Sequence, residues 1–299
     1  VLSIVSGKFG ERWAEMARVY GMNVAEVQVP WGESVSLKKF KEALKTTTFK
    51  AVLCQACETS TATEQPIREI AEILKESSPG TLFIVDAITA LGVMELKTDE
   101  WGLDVVIGGS QKSFMLPTGL TFISLSKKAQ KAMTESKTPK FYFDLKKELK
   151  ANQAGQTFFS SSVSLIRALD TALDLILKSG LEANIREFKK LSQGLRAAGE
   201  TLGLKIYSQS PSPSVTAFLV PESMNSEKLR DHLETKYNLT LMGGQDHLKG
   251  KILRIGTLGF VQAKEVRETI RRISLGLKDL GQNVDEQKAL QAFDENYSK

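Results

Sequence analysis

The chain has 299 residues, 41% apolar and 25% charged, with a formal charge of +5 and a pI near 9.0. That length supports a large core and two domains in an ordinary soluble globular protein. No apolar run approaches the roughly 18 residues of a membrane span, and the lysines and arginines are mixed with acidic residues rather than gathered in a stripe with aromatics. Neither a membrane nor a nucleic acid is therefore expected as partner.

Residues 2–5 read as a buried strand and run into a glycine-bracketed loop, Ser6-Gly7-Lys8-Phe9-Gly10. A domain rarely opens in mid-strand, so a segment before Val1 is expected, and with it any targeting signal. A helix is predicted over residues 11–20, with Trp13, Met16, Ala17 and Tyr20 on one face and Gly21 at its end. Residues 24–29 alternate as a strand, and Ser36 caps a short helix carrying Leu37, Phe40 and Leu44. The strand over residues 51–54 empties into Glu58-Thr59-Ser60-Thr61. Pro66 suits the first turn of a helix whose apolar face is Ile67, Ile70, Ala71 and Leu74. Residues 81–85 form a buried strand that ends in Asp86. Another, over residues 104–107, ends at the loop from Gly108 to Gly119, which holds Gln111 and Lys112, and from Leu120 the chain returns as a strand.

Strands alternating with helices at this spacing imply βαβ units, hence an α/β fold with a mostly parallel sheet flanked by helices. Ligands of such sheets bind beyond the carboxyl ends of the strands. Phe9, Thr59, Asp86 and Lys112 each lie just after a predicted strand, so the fold brings four loops to one edge.

Helical stretches follow over residues 127–133 and 145–149, then a polar loop over 152–162 and an amphipathic helix over 163–178 stopped by Gly180. The remainder reads as α+β. Helices are predicted over 182–202, 226–237 and 263–280, and strands over 215–220, 239–242 and 251–255. Leu290 and Phe293 stand at helical spacing in the tail. Two domains are expected, a large one over residues 1–179 and a smaller one over 180–299.

Cys54 and Cys57 are the only cysteines, and His232 and His247 the only histidines. A disulfide framework is excluded, and a reducing, cytoplasmic compartment fits. With no second C-x-x-C pair, the cysteines read as small residues at a strand end; the histidines read as surface residues, and no metal site is expected.

The residue types after the strands suit one chemistry. An electron-sink cofactor with a pyridine ring, an aldehyde and a phosphate needs a lysine for a Schiff base and a carboxylate for its ring nitrogen. It also needs a flat side chain over the ring and a cation for the substrate carboxylate, which an arginine fork binds bidentately. Lys112, Asp86, Phe9 and Arg254, the last in Leu253-Arg254-Ile255-Gly256, are the candidates.

Seven stretches, in order, resemble the class V aminotransferases of fold type I, the pyridoxal-phosphate enzymes that include alanine–glyoxylate and serine–pyruvate aminotransferases. They are Gly7-Lys8-Phe9-Gly10-Glu11-Arg12-Trp13, Glu58-Thr59-Ser60-Thr61, Val85-Asp86-Ala87-Ile88-Thr89-Ala90-Leu91-Gly92, Gly109-Ser110-Gln111-Lys112, Ser160-Ser161-Ser162-Val163-Ser164-Leu165, Met242-Gly243-Gly244 and Leu253-Arg254-Ile255-Gly256-Thr257-Leu258-Gly259. The resemblance implies pyridoxal 5'-phosphate as cofactor. Lys112 would form the Schiff base and shuttle the proton, and Asp86 would pair with the ring nitrogen. Phe9 would stack on the ring, Thr59 would contact the ring oxygen, Ile88 would pack under the ring, and Gln111 would reach the phosphate. It further implies a homodimer with shared sites, in which Thr157 and Ser160 reach the neighbour's phosphate, and Arg254 as holder of the substrate α-carboxylate. The implied reaction moves an amino group from alanine, serine or aspartate to glyoxylate or pyruvate.

The chain departs from the family in three ways. Ala62 stands where a glycine is usual, which predicts a differently shaped loop, and Phe158-Phe159-Ser160-Ser161-Ser162 replaces a more proline-rich stretch. The phosphate-cradling loop is expected in the segment before Val1. Two other readings keep the fold: a lyase or desulfurase, which needs a reactive cysteine, and a non-catalytic subunit, which has no need of Lys112 and Asp86.

Overall fold

The computed structural model describes residues 1–298. Its first part carries strands β1 (Leu2–Val5), β2 (Ala25–Gln28), β3 (Ala51–Gln55), β4 (Cys57–Glu58), β5 (Thr63–Glu64), β6 (Leu82–Asp86), β7 (Val105–Gly109) and β8 (Thr121–Leu125). Six of them form one sheet in the order β2-β1-β3-β6-β7-β8, while β4 and β5 make a separate hairpin. Every pair in the large sheet is parallel except β7 with β8. This is the predicted mostly parallel sheet. Helices α1 (Lys8–Val19), α2 (Leu37–Leu44), α3 (Ile67–Ser77), α4 (Thr98–Trp101), α5 (Lys127–Glu135), α6 (Leu145–Gln153) and α7 (Val163–Ser179) alternate with or follow these strands. A parallel sheet must be covered on both faces, and β1 and β3 are accordingly buried along their whole length.

Helix α1 differs from its predicted form in two respects. It begins at Lys8 rather than Glu11, and its buried residues are Gly10, Ala14 and Ala17, with Met16 and Tyr20 exposed. The reason is close approach. A Cβ at Gly10 would sit 2.9 Å from the Cα of Val5, so only small side chains fit between this helix and the sheet. The early start has a distant cause, since its first amides are capped by Glu58, which ends β4, and by Ser60 just beyond it.

The second part carries helices α8 (Leu181–Thr201), α9 (Ser226–Tyr237), α10 (Ala263–Asp279) and α11 (Glu286–Tyr297) and strands β9 (Lys205–Ile206), β10 (Val215–Leu219), β11 (Met242–Gly243) and β12 (Ile252–Gly256). The strands form an antiparallel sheet in the order β11-β12-β10-β9. Its helices bury Leu195, Phe218, Leu229, Leu233, Ile270 and Phe293 in a core of their own. The strand predicted over residues 239–242 shrinks to the two residues of β11, because the Leu241 carbonyl is taken by Arg230 Nε at 2.7 Å. The tail is helical as its spacing suggests: Asp285 caps α11 by accepting from Lys288 N, and Phe293 is fully buried. No helix among the described residues is long and apolar enough to cross a membrane.

Candidate active site

Strands β3, β6 and β7 pair in register as Gln55 with Asp86 and Asp86 with Ile107, so their carboxyl ends share one edge. Asp86 closes β6 and is 9% exposed. Its Oδ1 accepts from Ile88 N at 3.0 Å and its Oδ2 from the Trp13 indole at 3.1 Å. Burial pushes this carboxyl above the usual range, and the two N–H donors pull the other way. No cation pairs with it among the described residues.

Lys112 lies in the loop between β7 and β8 and is half-buried. Its ammonium makes no hydrogen bond or ion pair among the described residues. The loop is fixed by its neighbours instead. Ser110 Oγ donates to the Pro117 carbonyl at 2.7 Å and accepts from Leu120 N at 3.2 Å. Met115 N donates to the Lys112 carbonyl at 3.1 Å, and Ser113 Oγ donates to the Leu91 carbonyl. The last bond ties the lysine loop to the loop that follows Asp86. Gly259, from the second part of the chain, closes on the same place: its φ is +82 and a Cβ there would lie 3.3 Å from the Lys112 carbonyl oxygen.

Phe9 sits in the first turn of α1, and its position is set by Glu58. That carboxylate accepts from Phe9 N at 3.4 Å, Gly10 N at 3.0 Å and Ser60 N at 3.1 Å, and from the Ser60 hydroxyl at 2.5 Å. Lys8 N donates to Ser60 Oγ at 3.0 Å. An acid at a helix N-terminus satisfies the orphan amides and suits the dipole. The fit requires Gly7, because a Cβ there would lie 2.5 Å from both Glu58 Cγ and Ser60 Oγ. Burial pushes the Glu58 carboxyl up, and its four donors oppose that.

Thr59 faces the loop after β6, with its hydroxyl 2.8 Å from that of Thr89. Its carbonyl accepts from Arg254 Nη1 at 2.9 Å, while Arg254 Nε donates to the Gly243 carbonyl at 2.8 Å. Arg254 sits in β12, flanked by Ala217 and Met242, and is 8% exposed. Burial pushes its guanidinium down, against the pull of Glu58. No carboxylate pairs with it among the described residues.

A chain of contacts therefore joins Phe9, Thr59, Asp86, Lys112 and Arg254. Ile88 is half-buried beside Asp86 and Gln111 is exposed beside Lys112. Thr157 and Ser160 stand apart, exposed on the loop between α6 and α7, where the Thr157 hydroxyl donates to the Phe159 carbonyl at 2.6 Å. Glu58 and Trp13 are the contributors that their motifs leave without a role. Trp13 falls one turn after Phe9 on the same helix face, a spacing visible in the sequence; the long-range cap by Glu58 has no local signal. Both cysteines are free and buried, and burial pushes the Cys57 thiol up to about 12.

Ala62 has a φ of 59, the left-handed region that favours glycine. The loop thus takes a glycine-like turn with an alanine in it. Strain of about 1 kcal/mol is offset by burial of a methyl worth about 0.8 kcal/mol. Ala62→Gly should leave the thermal unfolding midpoint within a few degrees, while Ala62→Val, β-branched at positive φ, should lower it markedly. A large loss on Ala62→Gly would show that the methyl's packing dominates.

The Aminotransferase class-V family model matches residues 10–286. A Synechococcus protein described as the small subunit of a soluble hydrogenase is 39% identical over 281 residues, covering 92% of this chain and 73% of that protein. An L-aspartate–glyoxylate aminotransferase of Paracoccus denitrificans is 31% identical over 303 residues, covering 99% of this chain and 76% of that enzyme. The crystal structure of a ureidoglycine–glyoxylate aminotransferase from Bacillus subtilis superposes with a TM-score of 0.93 at 28% identity, over 100% of this chain and 78% of that one. The fold is that of the fold type I pyridoxal-phosphate aminotransferases, and the chain belongs to the aminotransferase class-V family.

Proposed function

We propose that this aminotransferase uses pyridoxal 5'-phosphate to move an amino group from a small α-amino acid, such as alanine, serine or aspartate, to glyoxylate or pyruvate. The observation that carries the reading is a pair of opposite buried groups, Asp86 at the carboxyl edge of the large sheet and Arg254 reaching the Thr59 loop from β12, neither with an ionic partner among the described residues. A buried charge needs a partner. A protonated ring nitrogen would satisfy Asp86 and a substrate carboxylate would satisfy Arg254, with the unpaired Lys112 amine on the same edge. The residues fit the group.

When bound, the cofactor supplies an aldehyde that condenses with amines and a ring that withdraws electrons. Asp86 keeps the ring nitrogen protonated, because an adjacent carboxylate favours the charged form. Lys112 would supply the amine that holds the aldehyde, and the same amine could carry a proton to and from the substrate Cα. Phe9 and Ile88 would hold the ring by stacking and packing, and the Thr59 hydroxyl would be a hydrogen-bonding partner for the ring oxygen. Arg254 orients the amino acid through its carboxylate. The amides at the start of α1 are taken by Glu58 and Ser60 and are not free for a phosphate, for which Gln111 would be a donor.

In a homodimer, Thr157 and Ser160 of the partner subunit would add to the phosphate site. Support comes from the exposed aromatics near that loop. Phe141 is 76% exposed and Phe143 87%, and Tyr142 stacks on Phe159 with centroids 4.5 Å apart. Such a patch is covered in an assembly more often than left in water. The desulfurase reading is not favoured: the thiolate is the nucleophile, and both thiols are buried and pushed up by that burial.

The test is titration with pyridoxal phosphate. The protein should turn yellow, and borohydride should fix the cofactor to the peptide that contains Lys112. An amino donor added without acceptor should bleach the colour, and donors crossed with glyoxylate and pyruvate then identify the pair. A protein that stays colourless at saturating cofactor overturns the reading.

A further inference from the structure

Resting on the reading just given, we infer that Trp13 is a positioning residue, whose indole N–H fixes the Asp86 carboxylate in the plane and ionisation state that a protonated ring nitrogen requires. Asp86 has two donors of different origin. Ile88 N, at 3.0 Å on Oδ1, comes from its own chain just beyond β6. Trp13 Nε1, at 3.1 Å on Oδ2, comes from α1. With one donor alone the carboxylate would be free to swing, since the terminal torsion of an aspartate is broad. A second donor on the other oxygen, from a separate element, defines the plane.

The indole also has a chemical bias. Its N–H is a donor only, so it stabilises a carboxylate oxygen lone pair and gains nothing from a protonated one. That opposes the burial which favours the neutral acid. Each carboxylate oxygen retains acceptor capacity beyond its one N–H contact, so the ring nitrogen need not displace either donor.

Trp13 is well placed for this work because α1 is held at its start. Glu58 and Ser60 bind the amides of Lys8, Phe9 and Gly10. Phe9 and Trp13 are one turn apart on this helix and share a face. The stacking ring and the Asp86 donor therefore move as one body, anchored to the loop that also carries Thr59. The body of the indole packs with Ala51 and Leu53 beside the sheet, so Trp13→Phe keeps an apolar ring there and deletes the N–H.

A double-mutant cycle separates positioning from packing. Pyridoxal-phosphate dissociation constants are measured by equilibrium dialysis for the parent, Trp13→Phe, Asp86→Asn and the double variant. Thermal unfolding without cofactor serves as control for the fold. Trp13→Phe should weaken binding about tenfold in the parent, the scale of one hydrogen bond to a charged group, and less than twofold in the Asp86→Asn background. The pH midpoint of the bound cofactor's visible absorption should also move in Trp13→Phe. An equal loss in both backgrounds would reduce Trp13 to packing and overturn the inference alone. A parent that does not bind the cofactor overturns the functional reading and this inference with it. Should Trp13→Phe fail to fold, Trp13→Leu completes the same cycle.

Discussion

Lys112→Ala should abolish transamination, with turnover down by about 10³-fold or more, while the protein folds and melts as the parent does. The two halves of this result have separate causes. The lysine loop is held by Ser110 on Pro117 and Leu120, by Ser113 on Leu91, and by Met115 N on the Lys112 carbonyl. None of these bonds uses the lysine side chain, so its removal breaks none of the hydrogen bonds that shape the loop. The ammonium has no partner among the described residues, and deleting a half-buried, unpaired charge costs little, within about 0.5 kcal/mol. The chemistry is different. Lys112 is the only lysine in the loop between β7 and β8, so no neighbouring group replaces the amine. Single-turnover kinetics with a donor amino acid, paired with thermal denaturation, gives both readings. The variant should also lose borohydride labelling of that peptide. Turnover close to that of the parent would remove Lys112 from its proposed role. Lost turnover with a collapsed melting transition would make the residue structural.

The parallel sheet was legible because its strands are short apolar runs bounded by glycine, proline or polar punctuation, and its helices show a period in Ile67, Ile70, Ala71 and Leu74. The residues at the strand ends could be named for the same reason: a polar residue at the end of a buried strand, such as Asp86, is conspicuous. What stayed hidden has non-local causes. The buried face of α1 differs from the predicted one because apolar periodicity marks Met16 and Tyr20, whereas close packing on β1 buries Gly10, Ala14 and Ala17. The start of α1 was set by a glutamate 49 residues away in sequence. Strands β4, β5 and β9 are two residues long, too short to carry any period. Ala62 keeps a turn that its side chain does not favour, which no residue-type rule predicts.

The hydrogen bonds also explain why the site reads as one unit. Arg254 reaches Thr59, Thr59 lies against Thr89, and Glu58, next in sequence, holds the start of α1, whose Trp13 holds Asp86. Arg254, proposed to bind the substrate, and Asp86, proposed to face the cofactor, are thus linked through buried loops, although they sit on different sheets. A change at one is expected to be felt at the other, and additivity between them should not be assumed.

Arg254→Ala should raise KM for the amino acid far more than it lowers kcat, with a loss in kcat/KM of about 10²-fold, the scale for removing one partner of a buried charge pair. Part of any loss will come from structure. The Thr59 and Gly243 carbonyls each give up a donor, at about 1–3 kcal/mol for a buried acceptor left unpaired, set against relief from burying an unpaired guanidinium. Arg254→Lys keeps the charge but loses the planar fork, so it should recover only part of the affinity. The decisive comparison uses two amines, an amino acid and its decarboxylated analogue. The parent should prefer the amino acid strongly, since its carboxylate would pair with the guanidinium, which has no carboxylate partner among the described residues. In Arg254→Ala that preference should vanish, because the analogue never used the arginine and loses little. A preference that survives the substitution would assign carboxylate recognition to another residue, whatever happens to the melting temperature.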